Sequence, residues 1–318
     1  MSDLYISAAP HINSGATTRN VMRDVAIALL PATIAAVVLF GLQALLIVLV
    51  CVASAVLSEF LFNLACKKKQ TVLDFSAIVT GLILALNLST NVPLWQCALG
   101  SAFAIIVVKC LFGGLGKNIA NPAIAARVFM LLVFGATITN FTGLTISSEI
   151  VPEIYSGATP LIELQKGNYD LLALFLGNHG GTIGETCALA LLIGYAYLVF
   201  RGVIKWYVPV AFVATVFGLY FVTTGDLALS LAQVLAGGLL FGAIFMATDY
   251  VTTPLSNLGK VVFCIGCGVL TYAFRSLYIG ENPFSALPEG VSISILFMNM
   301  LTPLIEKWTN PRTLGGVK

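Results

Sequence analysis

The run "VAIALLPATIAAVVLFGLQALLIVLVCVASAVLSEFLFNLA", from Val25 to Ala65, is 41 residues long and carries one charged side chain, Glu59. A helix crosses the hydrocarbon core of a bilayer with about 20 apolar residues, so this run is too long for one span. It must turn near Gly41. The chain as a whole agrees: 58% of its 318 residues are hydrophobic, 9% are charged and mean hydropathy is +0.98. Soluble domains hold roughly 45–50% apolar and about 25% charged residues. The expected fold is therefore all-α and polytopic in a membrane. A net charge of +2, with Lys and Arg in short loops, excludes a nucleic-acid partner.

With Gly, Pro and charge clusters as breaks, ten spans are expected: 24–41, 43–65, 74–90, 93–113, 123–140, 181–200, 206–223, 227–247, 261–279 and 291–306. This divides the chain into a tail (1–23), a five-helix half (24–140), a polar segment (141–180), a second five-helix half (181–306) and a short tail (307–318). The polar N-terminal residues lack the apolar stretch of a signal peptide, so an inside N-terminus is expected. Arg19, Arg23, Lys67, Lys68, Lys69, Lys117, Arg201, Lys205, Lys260, Lys307, Arg312 and Lys318 then all fall inside, and Lys166 falls outside. Both termini are expected in the cytoplasm and segment 141–180 outside.

Five spans per half imply that any internal repeat is inverted across the membrane. "GLILALNLSTNVPL" from Gly81 and "GLLFGAIFMATDYVTTPL" from Gly238 form a weak trace of one, although apolar helices ending at Pro look alike in any case. Two breaks, "FGGLGKNIANPAIAARVF" from Phe112 and "MATDYVTTPLSNLGK" from Met246, place Gly, Asn, Thr and Pro at inner ends of spans. Such backbone either lines a polar cavity or forms ordinary loops. Glu59, Asp74, Lys109, Arg127, Glu185, Asp249 and Arg275 lie in or near spans, where ionisable groups are costly and are functional candidates. Asp249 and Asp74 are the candidates for an ion path; a carboxylate near a helix end equally serves as a local cap.

His11 and His179 are the two histidines, both outside the spans, so no intramembrane pair exists for a haem or a metal. Among seven cysteines, Cys264 and Cys267 share one helical face in "CIGC", as core residues or as two ligands of an incomplete set.

The string SGAT occurs twice, at Ser14–Thr17 and at Ser156–Thr159. A threonine hydroxyl is a potential nucleophile once activated, and small Gly157 and Ala158 leave the backbone beside Thr159 open to close approach. The nearby "GNHGGTIGET" would open the sixth span with glycine backbone at a helix N-terminus, suited to an anion or to a plain turn.

The chain resembles the RnfD/NqrB family of membrane flavoproteins. The likeness is carried by "SAAPHINSGATTRNVMRDVAIALLPA", "DFSAIVTGLILALN", "GGLGKNIANPA", "YSGATPL", "LGNHGGTIGET", "MATDYVTTPLSNLGK" and "LPEGVSISILFMNMLTPLIE", in that order. Its length and short tail look more like the RnfD branch, the D subunits of Rnf ferredoxin:NAD+ oxidoreductase complexes, than like NqrB. The resemblance implies covalent FMN on the threonine of an S/T-G-A-T motif with an acidic residue six positions before it. Glu153 stands there before Thr159, where Asp is commoner in the family; before Thr17 stands His11. The resemblance thus selects Thr159, with Ser156, Gly157, Ala158 and Glu153 as its motif. It also implies a flavin transferase acting outside, partner subunits including a second flavoprotein and iron–sulfur subunits, and a prokaryotic plasma membrane. A noncovalent riboflavin is implied without a place in this chain. The function implied is electron relay between ferredoxin and NAD coupled to Na+ or H+ translocation. A solute channel or transporter without flavin fits the topology alone.

Overall fold

The computed structural model describes residues 17–145, 153–157, 170–177, 179–276 and 290–309. Every expected span contains a helix. α1 (Thr18–Phe40) and α2 (Leu42–Ala65) separate at Gly41, whose φ of +68° is a conformation glycine adopts without a side-chain clash. α3 (Ser76–Leu86), α4 (Leu94–Cys110) and α5 (Pro122–Ile138) complete the first half. The last seven residues of α4, Ala104 to Cys110, form a π-helix. The second half holds α7 (Ala188–Phe200), α8 (Tyr207–Thr224), the bent pair α9 (Leu227–Leu235) and α10 (Leu239–Met246), α11 (Asn257–Ser276) and α12 (Gly290–Thr309).

Between the halves lie β1 (Phe141–Thr145), β2 (Glu153–Gly157) and the short helix α6 (Leu171–Leu176). The two strands pair antiparallel, with Thr142 opposite Ser156. This two-stranded sheet is an addition to the all-α expectation. α6 packs through Leu174 on Ala232 and Ala236 at the end of α9.

α1, α2, α8 and α11 are each long and apolar enough to cross a bilayer, and α9 with α10 makes a fifth, bent by 63° at the break. α3, α4, α5 and α7 are shorter apolar helices. Three boundaries differ from expectation. α3 ends at Leu86 instead of near residue 90, so its 11 residues rise about 16 Å and are followed by turns instead of further helix. The sixth span becomes helical at Ala188, seven residues late. The eighth is broken at Ala236–Gly238.

The packing repeats between the halves. The second helix of each half packs on its third and fourth: α2 on α3 and α4, α8 on α9 and α11. Equivalent helices meet across the middle, α1 with α7 and α5 with α12. The C-terminal ends of the equivalent elements α3 and α10 also meet, Asn87 Nδ2 lying 3.9 Å from Met246 Sδ. The two Gly-Leu segments noted in the sequence thus meet at their C-terminal ends.

Lipid offers no hydrophobic driving force between helices, so close approach of small residues sets the contacts. On α1, Ala28, Ala32 and Ala36 are buried while Leu30, Ile34 and Val38 are exposed. A Cβ on Gly194 of α7 would come within 2.4 Å of the Ala28 carbonyl oxygen. Glycine is what lets α1 and α7 touch there. The chain is a multi-pass membrane protein.

Candidate functional site

The two Gly/Asn/Thr/Pro breaks come together around one cavity. Leu115, Asn118, Asn121 and Pro122 form one wall and Thr248, Asp249, Tyr250 and Val251 another. The start of α1, the N-terminal half of α3, Lys109 and Val203–Ile204 close the remainder around about 750 Å³ of empty space open to solvent.

Local sequence explains the first wall. Gly113, Gly114 and Gly116 have φ of +112°, +94° and +92°, and the Gly114 N–H donates to the Lys109 carbonyl to close the turn after the π-helix. Asn121 then caps α5, accepting from the Ala123 N–H at 3.0 Å, with Pro122 in the first turn. Asn118 Oδ1 is buried and has no hydrogen-bond partner among the described residues. A buried acceptor is costly unless a donor reaches it, and this one belongs to a residue that lines the cavity.

The second wall is unwound. Asp249 accepts from the Val251 N–H at 3.4 Å and from Thr252 Oγ1 at 3.1 Å, and Thr253 Oγ1 donates to its carbonyl at 2.6 Å. Burial pushes the Asp249 carboxyl above the usual carboxylate range, and the hydrogen bonds from Val251 and Thr252 oppose that shift. Asp249 is held locally, and it also lines the cavity.

Asn299 of α12, 2% exposed, joins the two walls and was not among the sequence candidates. In the amide orientation that satisfies both neighbours, it accepts from the Asn121 N–H at 3.3 Å and donates to the Thr252 carbonyl at 3.2 Å. Thr302 Oγ1 donates to the same carbonyl at 2.8 Å, so that carbonyl has two donors and the Asn121 N–H has Asn299. The signal in sequence is a lone Asn within the apolar run "LFMNML".

A polar chain runs from the cavity into the bundle. Lys109 Nζ donates to Ser76 Oγ at 2.6 Å and to both oxygens of Glu59 at 2.9 Å. Ser76 donates to Asp74 through both its N–H, at 2.9 Å, and its hydroxyl. Thr71 Oγ1 donates to Glu59 at 2.5 Å and accepts from Asn63 at 3.1 Å. Asp74 therefore reaches the cavity through Ser76, while Asp249 lines it directly. Asp24 of α1 binds Arg201 at 3.1 Å, clamping α1 to the end of α7; this pair was not foreseen.

The remaining candidates lie elsewhere. Arg275 donates to the carbonyls of Gln233, Ala236 and Gly237 at 2.6, 3.0 and 2.9 Å, satisfying the broken end of α9. A Cβ on Gly238 would meet the Glu185 carboxylate. Arg127 is buried in α5, and Cys264 and Cys267 are buried core residues of α11. The reading of "GNHGGTIGET" as an anion-binding helix start is corrected. Its Ile183 and Gly184 N–H groups donate to the carbonyls of Leu88 and Leu86 at 2.9 and 2.7 Å. Those donors serve the end of α3, and α7 begins later, at Ala188.

Within the attachment motif, Glu153, Ser156 and Gly157 lie in β2, paired with Thr145, Thr142 and Phe141. Ala158 and Thr159 lie outside the described residues. In the first SGAT, Thr17 is the N-cap of α1, its hydroxyl accepting from the Asn20 N–H at 3.3 Å.

A family described as NQR2, RnfD, RnfE matches residues 5–315. The chain belongs to that family. Its relatives include the D subunit of the Na+-translocating ferredoxin:NAD+ oxidoreductase complex of Acetobacterium woodii, 42% identical over 99% of this chain and 96% of the relative. The D subunit of the proton-translocating ferredoxin:NAD+ oxidoreductase complex of Clostridium ljungdahlii is 35% identical over 98% of this chain and 96% of that protein. The D subunit of the ion-translocating oxidoreductase complex of Stutzerimonas stutzeri is 35% identical over 93% of this chain and 91% of the relative. Family members thus align with this chain from end to end, through both walls of the cavity.

Proposed function

We propose that this chain is the D subunit of an Rnf-type redox-driven ion pump, relaying electrons between ferredoxin and NAD within a complex that moves Na+ or H+. The observation that carries this is the 42% identity over 99% of the chain to a protein named as that component. It acts with partners: a second flavoprotein subunit and iron–sulfur subunits supply the remaining redox centres. Membership of this family weighs against the solute-channel reading, although a broken helix and repeated halves suit a transporter equally.

In this reading Thr159 carries FMN through a phosphoester made by a flavin transferase, with Glu153, Ser156, Gly157 and Ala158 as the recognised motif. The segment faces outward and both termini face the cytoplasm. The strand pairing of Glu153–Gly157 supports it by holding the motif two residues short of Thr159 in a fixed backbone. Its place as a helix cap and His11 in the acidic position weigh against Thr17.

A noncovalent flavin such as riboflavin suits the cavity. Asn118 supplies the buried acceptor that lacks a donor, and Val79, Ile83 and Phe245 supply apolar walls. Flavins contribute one- and two-electron redox chemistry when bound. The chain's own residues bind, orient and exclude water, with Lys109, paired to Glu59, and the carboxyl of Asp249 in the wall.

The test is flavin fluorescence on a denaturing gel after co-expression with a flavin transferase. Thr159→Ala should abolish it, Thr17→Ala should leave it intact, and a peptide containing "YSGATPL" should carry the FMN mass. Fluorescence retained in Thr159→Ala removes the attachment assignment.

A further inference from the structure

Lys205, just ahead of α8, and Lys260, in the first turn of α11, line one pocket of about 440 Å³ together with Thr248, Tyr250 and Thr253. Among the described residues neither lysine has a carboxylate within ion-pair distance. Two ammonium groups sharing a concave site without a counter-charge call for an anion. The threonine hydroxyl protons are already committed, to the carbonyls of Ile244 and Asp249. Tyr250, whose hydroxyl is uncommitted among the described residues, lines the same pocket as the lysines.

The neighbouring residues in the chain identify the layer in which that anion lies. Trp206 follows Lys205, and Leu255 and Leu258 lie between Thr253 and Lys260; they are 62%, 77% and 63% exposed, at the ends of two helices long and apolar enough to cross a bilayer. Exposed Trp and Tyr beside apolar side chains mark headgroup depth. A soluble phosphate would reach a polar surface; here the residues next to the pocket residues in the chain are large, apolar and exposed. Basic pockets between transmembrane helices at that depth bind lipid headgroups.

We propose that this pocket binds the phosphate of an anionic glycerophospholipid between Lys205 and Lys260, with the Tyr250 hydroxyl as a further donor. Val203, Ile204, Thr248 and Tyr250 line both this pocket and the large cavity. The lipid therefore braces one wall of the candidate site from outside, and it does so whether or not a flavin occupies the cavity.

The test uses the assembled complex in nanodiscs holding a photoreactive phosphatidylglycerol or its phosphatidylcholine counterpart. Cross-links from phosphatidylglycerol should map to peptides spanning 203–208 or 248–260. The paired change Lys205→Gln, Lys260→Gln should weaken phosphatidylglycerol retention roughly thirty-fold, as expected for two lysines at a membrane surface. If that variant does not assemble, the wild-type cross-link map decides alone. Equal cross-linking by phosphatidylcholine, or a map that misses both peptides, overturns the assignment. Protection of both lysines by inorganic phosphate in lipid-free detergent, without phosphatidylglycerol enrichment, makes the pocket a soluble-phosphate site and overturns it as well.

Discussion

Lys109 Nζ lies 2.9 Å from a carboxylate oxygen of Glu59, with side-chain exposures of 2% and 1%. The pair joins the π-helical end of α4 to α2, and Ser76 adds a third hydrogen bond to the ammonium. Two ions buried together cost desolvation that their attraction roughly offsets, whereas removing one strands the other.

Lys109→Met or Glu59→Gln alone should therefore destabilise the assembled protein by about 3–5 kcal/mol. Replacing both, Lys109→Met with Glu59→Leu, should recover most of that loss. Thermal unfolding of the purified complex in detergent measures it. Single variants that unfold within about 1 kcal/mol of the parent would show that water reaches the pair.

Asn299 predicts a different signature. Its amide ties Asn121 to Thr252, so Asn299→Ala strands the buried Asn121 N–H at a cost of about 1–3 kcal/mol, while the Thr252 carbonyl keeps its bond from Thr302. Hydrogen exchange should rise at 118–122 and 250–254 together, with α8 unchanged. Faster exchange in one segment alone would break the link between the two walls.

How far the sequence anticipated this arrangement follows from the range of each interaction. The break at Gly41 and the capped start of α5 at Asn121–Pro122 are written in neighbouring residues, and both were legible. The early end of α3 was not, because the carbonyls of Leu86 and Leu88 find their donors at Gly184 and Ile183, almost a hundred residues away. The same demand turned an expected helix start into a packed loop, since buried backbone in a membrane protein must be satisfied somewhere. Asp24–Arg201 and Asn299 escaped notice because their partners are distant in the chain. The cavity itself was half legible: both breaks were visible as unwound stretches, but nothing local said that they face each other.

The orientation inferred from Lys and Arg asymmetry is directly testable. A cysteine placed at Lys166 should react with an impermeant maleimide in intact cells, above the background of the parent protein. One placed at Lys68 should react after permeabilisation. The opposite pattern would invert the protein in the membrane.

Asp249 should titrate above the ordinary carboxylate range because it is buried, with the Val251 N–H and Thr252 hydroxyl holding the shift back. The sign follows from linkage: the folded state binds its proton more tightly than the unfolded chain, so this group's contribution falls as pH rises from the unfolded value to the raised folded value. A protonated carboxyl band should persist by infrared spectroscopy above that unfolded value and vanish in Asp249→Asn. Because Asp249 lines the cavity beside unwound carbonyls, the group is also placed to take up a proton or coordinate Na+. If it serves the ion path, Asp249→Asn should keep flavin content and assembly while lowering ions moved per electron transferred. If it only caps the turn through Val251 and Thr252, the same variant should move stability and leave that ratio unchanged. An unchanged ratio in a fully assembled variant assigns Asp249 to the turn alone.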